Sequence, residues 1–135
     1  MLEPWFEGVV VRARELIAKR TLMPGKIYVE DASSGPILIE KYPHFCEALP
    51  RQWLAEGKDL RAYAVQKFFN GGSVRMTEAC YRKTGNFKGV TINHLWTQLN
   101  SFVLGDKQAA KRSDDLFDAA VYAASIVFRQ RPPLR

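Results

Sequence analysis

Asp114, Asp115 and Asp118 head an otherwise apolar stretch, Ser113-Asp114-Asp115-Leu116-Phe117-Asp118-Ala119-Ala120. In a helix, positions i, i+3 and i+4 share a face, so Asp118 shares one with both Asp114 and Asp115, and the carboxylates can present oxygens to a common point. Hard divalent cations such as Mg²⁺ and Mn²⁺ take just such ligands. A second reading needs no metal: Ser113 is a good N-cap, and aspartates in a first helical turn are favoured by the helix macrodipole.

The chain surrounding these acids is basic. Twenty Lys and Arg against fourteen Asp and Glu give a formal charge of +6, and the pI is near 9.5. That excess makes a polyanionic partner worth considering. It gathers in Lys107, Lys111 and Arg112, just before the aspartates, and in the tail at Arg129, Arg131 and Arg135. Attraction to phosphate beside a metal site is one reading, and a solvated rim is the other. At 135 residues, with 47% hydrophobic and 25% charged content, the chain reads as one globular domain rather than a disordered or fibrous segment. No apolar run reaches a membrane span, and the start lacks the pattern of a signal peptide, so the expected home is the cytoplasm with no membrane partner. Cys46 and Cys80 have neither CxxC spacing nor a histidine partner at zinc spacing and read as free thiols. His44 and His94 stand alone and read as structural or exposed.

Several elements must position these residues. Phe6, Val9, Val10, Ala13, Leu16 and Ile17 predict an amphipathic helix over 6–20, ended by Pro24-Gly25. Lys26-Ile27-Tyr28-Val29-Glu30 predicts a buried strand with two acids, Glu30 and Asp31, at its C-terminal end, where open α/β sheets put their ligands. Pro36 predicts a helix start, residues 43–57 leave room for one short strand, and Leu60, Ala64, Val65 and Phe68 predict a helix over 58–70 stopped by Gly71-Gly72. A brief strand over 73–76 and a polar loop over 77–90 follow. Ile92, Leu95, Trp96, Leu99 and Phe102 mark a further helix, with Thr91 or Asn93 near its start. The last helix covers roughly 114–128, its alanines suited to close packing on a sheet, and Pro132-Pro133 ends it.

The order of four segments carries a resemblance. They are Ile27-Tyr28-Val29-Glu30-Asp31-Ala32-Ser33-Ser34-Gly35, then Gly57-Lys58-Asp59-Leu60-Arg61-Ala62, then Leu95-Trp96-Thr97-Gln98-Leu99-Asn100-Ser101-Phe102, then Ser113-Asp114-Asp115-Leu116-Phe117-Asp118-Ala119. Over about residues 6 to 128 this resembles the C-terminal nuclease domain of the large terminase subunit of tailed bacteriophages. The resemblance implies an α/β class, a partial ribonuclease H-like fold with a short sheet packed by several helices, over 1–128 with a basic tail at 129–135. It implies cleavage of double-stranded phage DNA during packaging, by two-metal hydrolysis of phosphodiesters with Mg²⁺ or Mn²⁺. Glu30, Asp115 and Asp118 carry over as catalytic and metal-binding acids. Asp31 and Asp114 are their alternatives, since strand alternation turns only one of Glu30 and Asp31 toward a site. Lys58, Arg61, Lys111 and Arg112 carry over as phosphate contacts.

Two parts of the family pattern do not occur in these residues. There is no GxxxxGK[ST] of an ATPase motor, and no strand hairpin bearing a first catalytic aspartate precedes Glu30. The expectation is therefore a C-terminal portion of such a nuclease, encoded by a phage or prophage and working in the bacterial host cell. The other expectation is a non-catalytic DNA-binding or assembly module, a prophage remnant that lost the first acid. Missing strands would leave a sheet edge open, which favours a homodimer or a partner chain that completes the sheet.

Overall fold

The computed structural model describes residues 3–19, 25–106 and 114–129. The fold is mixed α/β, mainly helical with two small sheets. It forms two compact units, residues 1–54 and 55–135.

In the first unit, α1 (Glu3–Ala18) follows the predicted amphipathic pattern and turns Phe6 and Val10 into the core. The run of β-branched and aromatic residues makes β1 (Ile27–Val29), and α2 (Gly35–Lys41) begins with Pro36 in its first turn, where no amide hydrogen is needed. The short strand left open by the irregular stretch is β2 (Cys46–Ala48), followed by α3 (Arg51–Ala55). β1 and β2 are parallel, with Ile27 opposite Cys46, Tyr28 opposite Glu47 and Val29 opposite Ala48. Phe6, Val10, Leu38 and Cys46 form the buried cluster, with Ile27, Val29, Ile39 and Tyr42 packed against it. Burial raises the pKa of the Cys46 thiol despite the nearby Lys26 charge, so this cysteine behaves as a small core residue. The turn from β1 into α2 depends on Gly35, because a Cβ there would collide with the Glu30 carbonyl.

In the second unit, α4 (Lys58–Asn70) and α7 (Asp115–Arg129) share a core of Ala62, Val65, Phe117, Val121 and Ala124. Of the α7 alanines expected to pack on a sheet, Ala124 packs against α4, whereas Ala119 and Ala123 are exposed. Stacked rings close the flanks, Phe102 on Phe117 at 4.1 Å and Phe68 on Phe128 at 4.1 Å between centroids.

Residues 73–76, expected as a strand, are not one. After Gly71 and the left-handed Gly72, the amides of Ser73 and Val74 both fold back on the Phe68 carbonyl, which ends α4 and leaves nothing for a ladder. The predicted polar loop is instead structured. Thr77 accepts a bond from the Cys80 amide and caps α5 (Glu78–Arg82), and a hairpin of β3 (Gly85–Phe87) and β4 (Val90–Ile92) turns at Lys88 and Gly89, both with positive φ. Ile92, expected inside a helix, ends β4. Asn93 then caps α6 (His94–Ser101) by accepting from the Trp96 amide. His94, expected to be structural or exposed, meets the Val90 carbonyl and the edge of Phe87. Among the described residues no helix is long and apolar enough to cross a membrane.

Candidate functional site

The start of α4 and the start of α7 meet at one lysine. Gly57, with φ of 78°, lets the chain turn directly into α4 and sets Lys58 at its first position. A cation there opposes the helix dipole, so its placement needs another cause. The cause is acidic: the Lys58 ammonium donates to Asp114 Oδ2, 56 residues away, and lies 3.2 Å from Asp118 Oδ2. All three side chains keep only about a quarter of their surface, 28% for Lys58, 23% for Asp114 and 26% for Asp118.

One ammonium between two carboxylates leaves an excess negative charge. Burial raises the Asp118 pKa and the Asp114 charge raises it further, outweighing the opposing pull of Lys58 and of Arg61. On the lysine, burial works against the charged form, but its bonds to Asp114 and Asp118 more than offset this and the pKa rises. The ammonium is thus firmly held, and the Asp118 carboxyl takes up a proton more readily than an ordinary aspartate.

A third segment closes the same place. Gln98, on α6, accepts bonds from the backbone amides of Leu116 and Phe117 through Oε1, each at 3.0 Å, and so satisfies two of the orphan donors that open α7. Nearby, Asp59 on α4 accepts from the Gly105 amide at 2.9 Å. The Gln98 contact went unforeseen in the sequence, where Ser113 and the aspartates had been the visible caps. Its signal was a glutamine set among the apolar Leu95, Trp96 and Leu99, on a side chain long enough to reach a neighbouring helix.

The other sequence candidates fall as follows. Asp115 lies in the first turn of α7 and is exposed, so Asp118 pairs with Asp114 and not with Asp115 around the lysine. Arg61 is buried at 8% exposure, with its guanidinium 5.0 Å from the centre of the Tyr122 ring. Glu30 is exposed at the carboxyl end of β1 in the first unit, and Asp31, beside it, accepts a bond from Arg51 at 3.0 Å. Lys111 and Arg112 lie outside the described residues, as do Ser113 and most of the basic tail; Arg129 instead ends α7 in a two-pronged bond to Glu56, at 2.6 and 2.9 Å.

Carboxylate oxygens converging with one excess negative charge are donors that suit a hard divalent cation in kind. Among the described residues, no three of His, Cys, Asp or Glu gather into a group that could hold a metal ion. No protein-family model, curated protein or solved structure matches the chain.

Proposed function

We propose that this chain is a terminase-like nuclease domain segment, acting on double-stranded DNA in the cytoplasm of a bacterial host. One observation carries the reading. Three of the four sequence segments that resemble the terminase nuclease supply the side chains that meet at the start of α7: Lys58 from the second, Gln98 from the third, Asp114 and Asp118 from the last. Core packing brings α4, α6 and α7 together, and on this reading the polar side chains at the start of α7 are the site that this packing positions. On this reading the parallel β1 and β2 with their helices are part of a ribonuclease H-like sheet, and Glu30 keeps the role of the strand acid.

On this reading Asp118 and Asp114 would hold Mg²⁺ or Mn²⁺ in place of the Lys58 ammonium. When bound, such an ion supplies Lewis-acid activation of the phosphodiester. The chain's own residues do the rest. Gln98 fixes the first turn of α7 and with it the direction of the carboxylates. The half-buried setting of Asp118 and the excess negative charge around it favour a divalent ion over a monovalent one, and Lys58, once released from the acids, is a cation placed for a DNA phosphate.

A second reading rests on the same lysine. Because Lys58 already occupies both carboxylates, a non-catalytic DNA-binding or assembly module, with the basic charge retained and the metal site silenced, is the alternative. Nicking of supercoiled plasmid in Mn²⁺ separates the two, with Glu30→Gln and Asp118→Asn run beside the unaltered chain. The nuclease reading expects nicking that both variants lose. Equal nicking by all three points to a contaminant, and no nicking with DNA binding that falls steeply with salt leaves the binding module.

A further inference from the structure

β1 has an unpaired side. In the parallel ladder, the Ile27 amide donates to the Phe45 carbonyl at 2.7 Å and the Val29 carbonyl accepts from the Leu49 amide at 2.9 Å, so residues 27 and 29 spend their backbone groups on β2. By strand alternation the amide and carbonyl of Tyr28 point the other way. Among the described residues no strand lies on that side and no backbone bond reaches Tyr28. A two-stranded parallel sheet with an open edge is an unfinished structure, since sheets of this kind are normally wider and an open edge is a template for pairing.

The residues along this edge are self-complementary. Lys26 and Glu30 stand two positions before and two after Tyr28, and both are exposed. If two copies pair antiparallel with Tyr28 opposite Tyr28, each Lys26 falls opposite the Glu30 of the other copy. Tyr28 then makes the closely spaced, doubly hydrogen-bonded pair on the two-fold axis, and its free amide and carbonyl are the groups that such a pair consumes. A parallel or one-residue-shifted pairing loses both the charge match and this use of the backbone. The Lys26 ammonium now donates to the His44 carbonyl at 2.9 Å in an exposed position, a neutral acceptor that a carboxylate outcompetes.

We infer that this chain forms a two-fold dimer by antiparallel pairing of β1 with β1 of a second copy, centred on Tyr28 and matched by Lys26 to Glu30. The dimer does not depend on the nuclease reading. Sedimentation velocity over a concentration series, without divalent metal, tests it on the unaltered chain and on Lys26→Glu, Glu30→Lys and the double reversal. The unaltered chain should show a monomer–dimer equilibrium. Each single reversal sets like charges opposite each other twice per dimer and should weaken it about tenfold, and the double reversal should restore it. Hydrogen exchange on the unaltered chain gives a second readout that no variant can compromise: the Tyr28 amide should become protected as concentration rises. A monomer at every concentration, a dimer indifferent to the single reversals, or a Tyr28 amide that exchanges equally fast in the dimer would overturn the assignment.

Discussion

Lys58 and Asp118 lie 3.2 Å apart and both have raised pKa values, although a simple ion pair would lower the acid's. The main cause is partial burial, which disfavours the charged form, and the Asp114 carboxylate sharing the same ammonium adds to the rise. Removing the lysine should therefore expose two facing carboxylates. Lys58→Met is expected to cost about 1 to 2 kcal/mol at neutral pH, discounted for side chains that water still reaches. A carboxyl with a raised folded pKa contributes stability that is complete below its ordinary value of 3.8 and lost as pH rises through the folded value. The deficit of the variant should accordingly shrink as pH falls toward that range. Urea unfolding of both proteins at neutral and acid pH measures it, and a deficit independent of pH would show that the lysine's alkyl packing, not its charge, mattered.

The same variant should bind Mn²⁺ more tightly than the unaltered chain, because the competing cation is gone while the oxygen donors remain. Titration calorimetry at constant pH reads this directly. Unchanged or weaker binding would mean that Asp114 and Asp118 do not act as a donor pair.

How much of this was legible beforehand depends on how local the cause was. The amphipathic repeat of α1, the β-branched run of β1, Pro36 opening α2 and Gly71 closing α4 are local signals, and each of these elements stands near its expected place. The strand expected at 73–76 failed because two amides find the Phe68 carbonyl, a backbone choice that no side-chain pattern announces. The β3–β4 hairpin was missed because its turn is Lys88-Gly89 and lacks the usual asparagine or aspartate before glycine. For the site, helical spacing puts Asp118 on a face with both Asp114 and Asp115, and of the two only Asp114 shares the Lys58 ammonium with it. The spacing was silent on which residue stands opposite, since Lys58 and Gln98 arrive through tertiary packing.

Gln98 caps a helix to which it does not belong. Gln98→Ala should leave the Leu116 and Phe117 amides without their acceptor and destabilise the second unit by about 1 to 2 kcal/mol, the range of a lost N-cap. Hydrogen exchange should show these amides opening selectively. Gln98→Glu, which keeps an acceptor and places a negative charge at the positive end of α7, should retain most of the stability. An alanine variant as stable as the unaltered chain would remove Gln98 from any positioning role.

Glu56 and Arg129 hold the last turn of α7 to the segment before α4. The two-pronged bond from Arg129 lowers the Glu56 pKa more than burial raises it, and the same bond raises the arginine's. A carboxylate with a lowered folded pKa contributes stability that is present above its ordinary value of 4.5 and lost as pH falls through the folded value. Glu56→Gln should therefore unfold earlier than the unaltered chain at neutral pH, by about 1 kcal/mol or less given the solvent around the pair. Below the folded pKa the two proteins should converge. Melting curves that stay parallel from neutral to acid pH would indicate that the pair contributes nothing through its charge.

Gly35 is the residue on which the exit from β1 turns. Its missing side chain lets the first turn of α2 approach the Glu30 carbonyl so closely that a Cβ would overlap the oxygen, and the obstructing atom is backbone, which cannot rotate away. Gly35→Ala must then either move α2 off the core cluster at Leu38 or displace Glu30 from the end of β1. Overpacking of this kind costs about 1 to 3 kcal/mol, which denaturant titration of the variant measures. Gly8, on the exposed side of α1 with open space around it, is the control. Gly8→Ala should be neutral or stabilising through helix propensity, so the contrast between the two substitutions isolates the collision from any general effect of alanine. Equal stability of both variants would mean that the chain relaxes around residue 35 at no cost and that Glu30 owes its position to β1 alone.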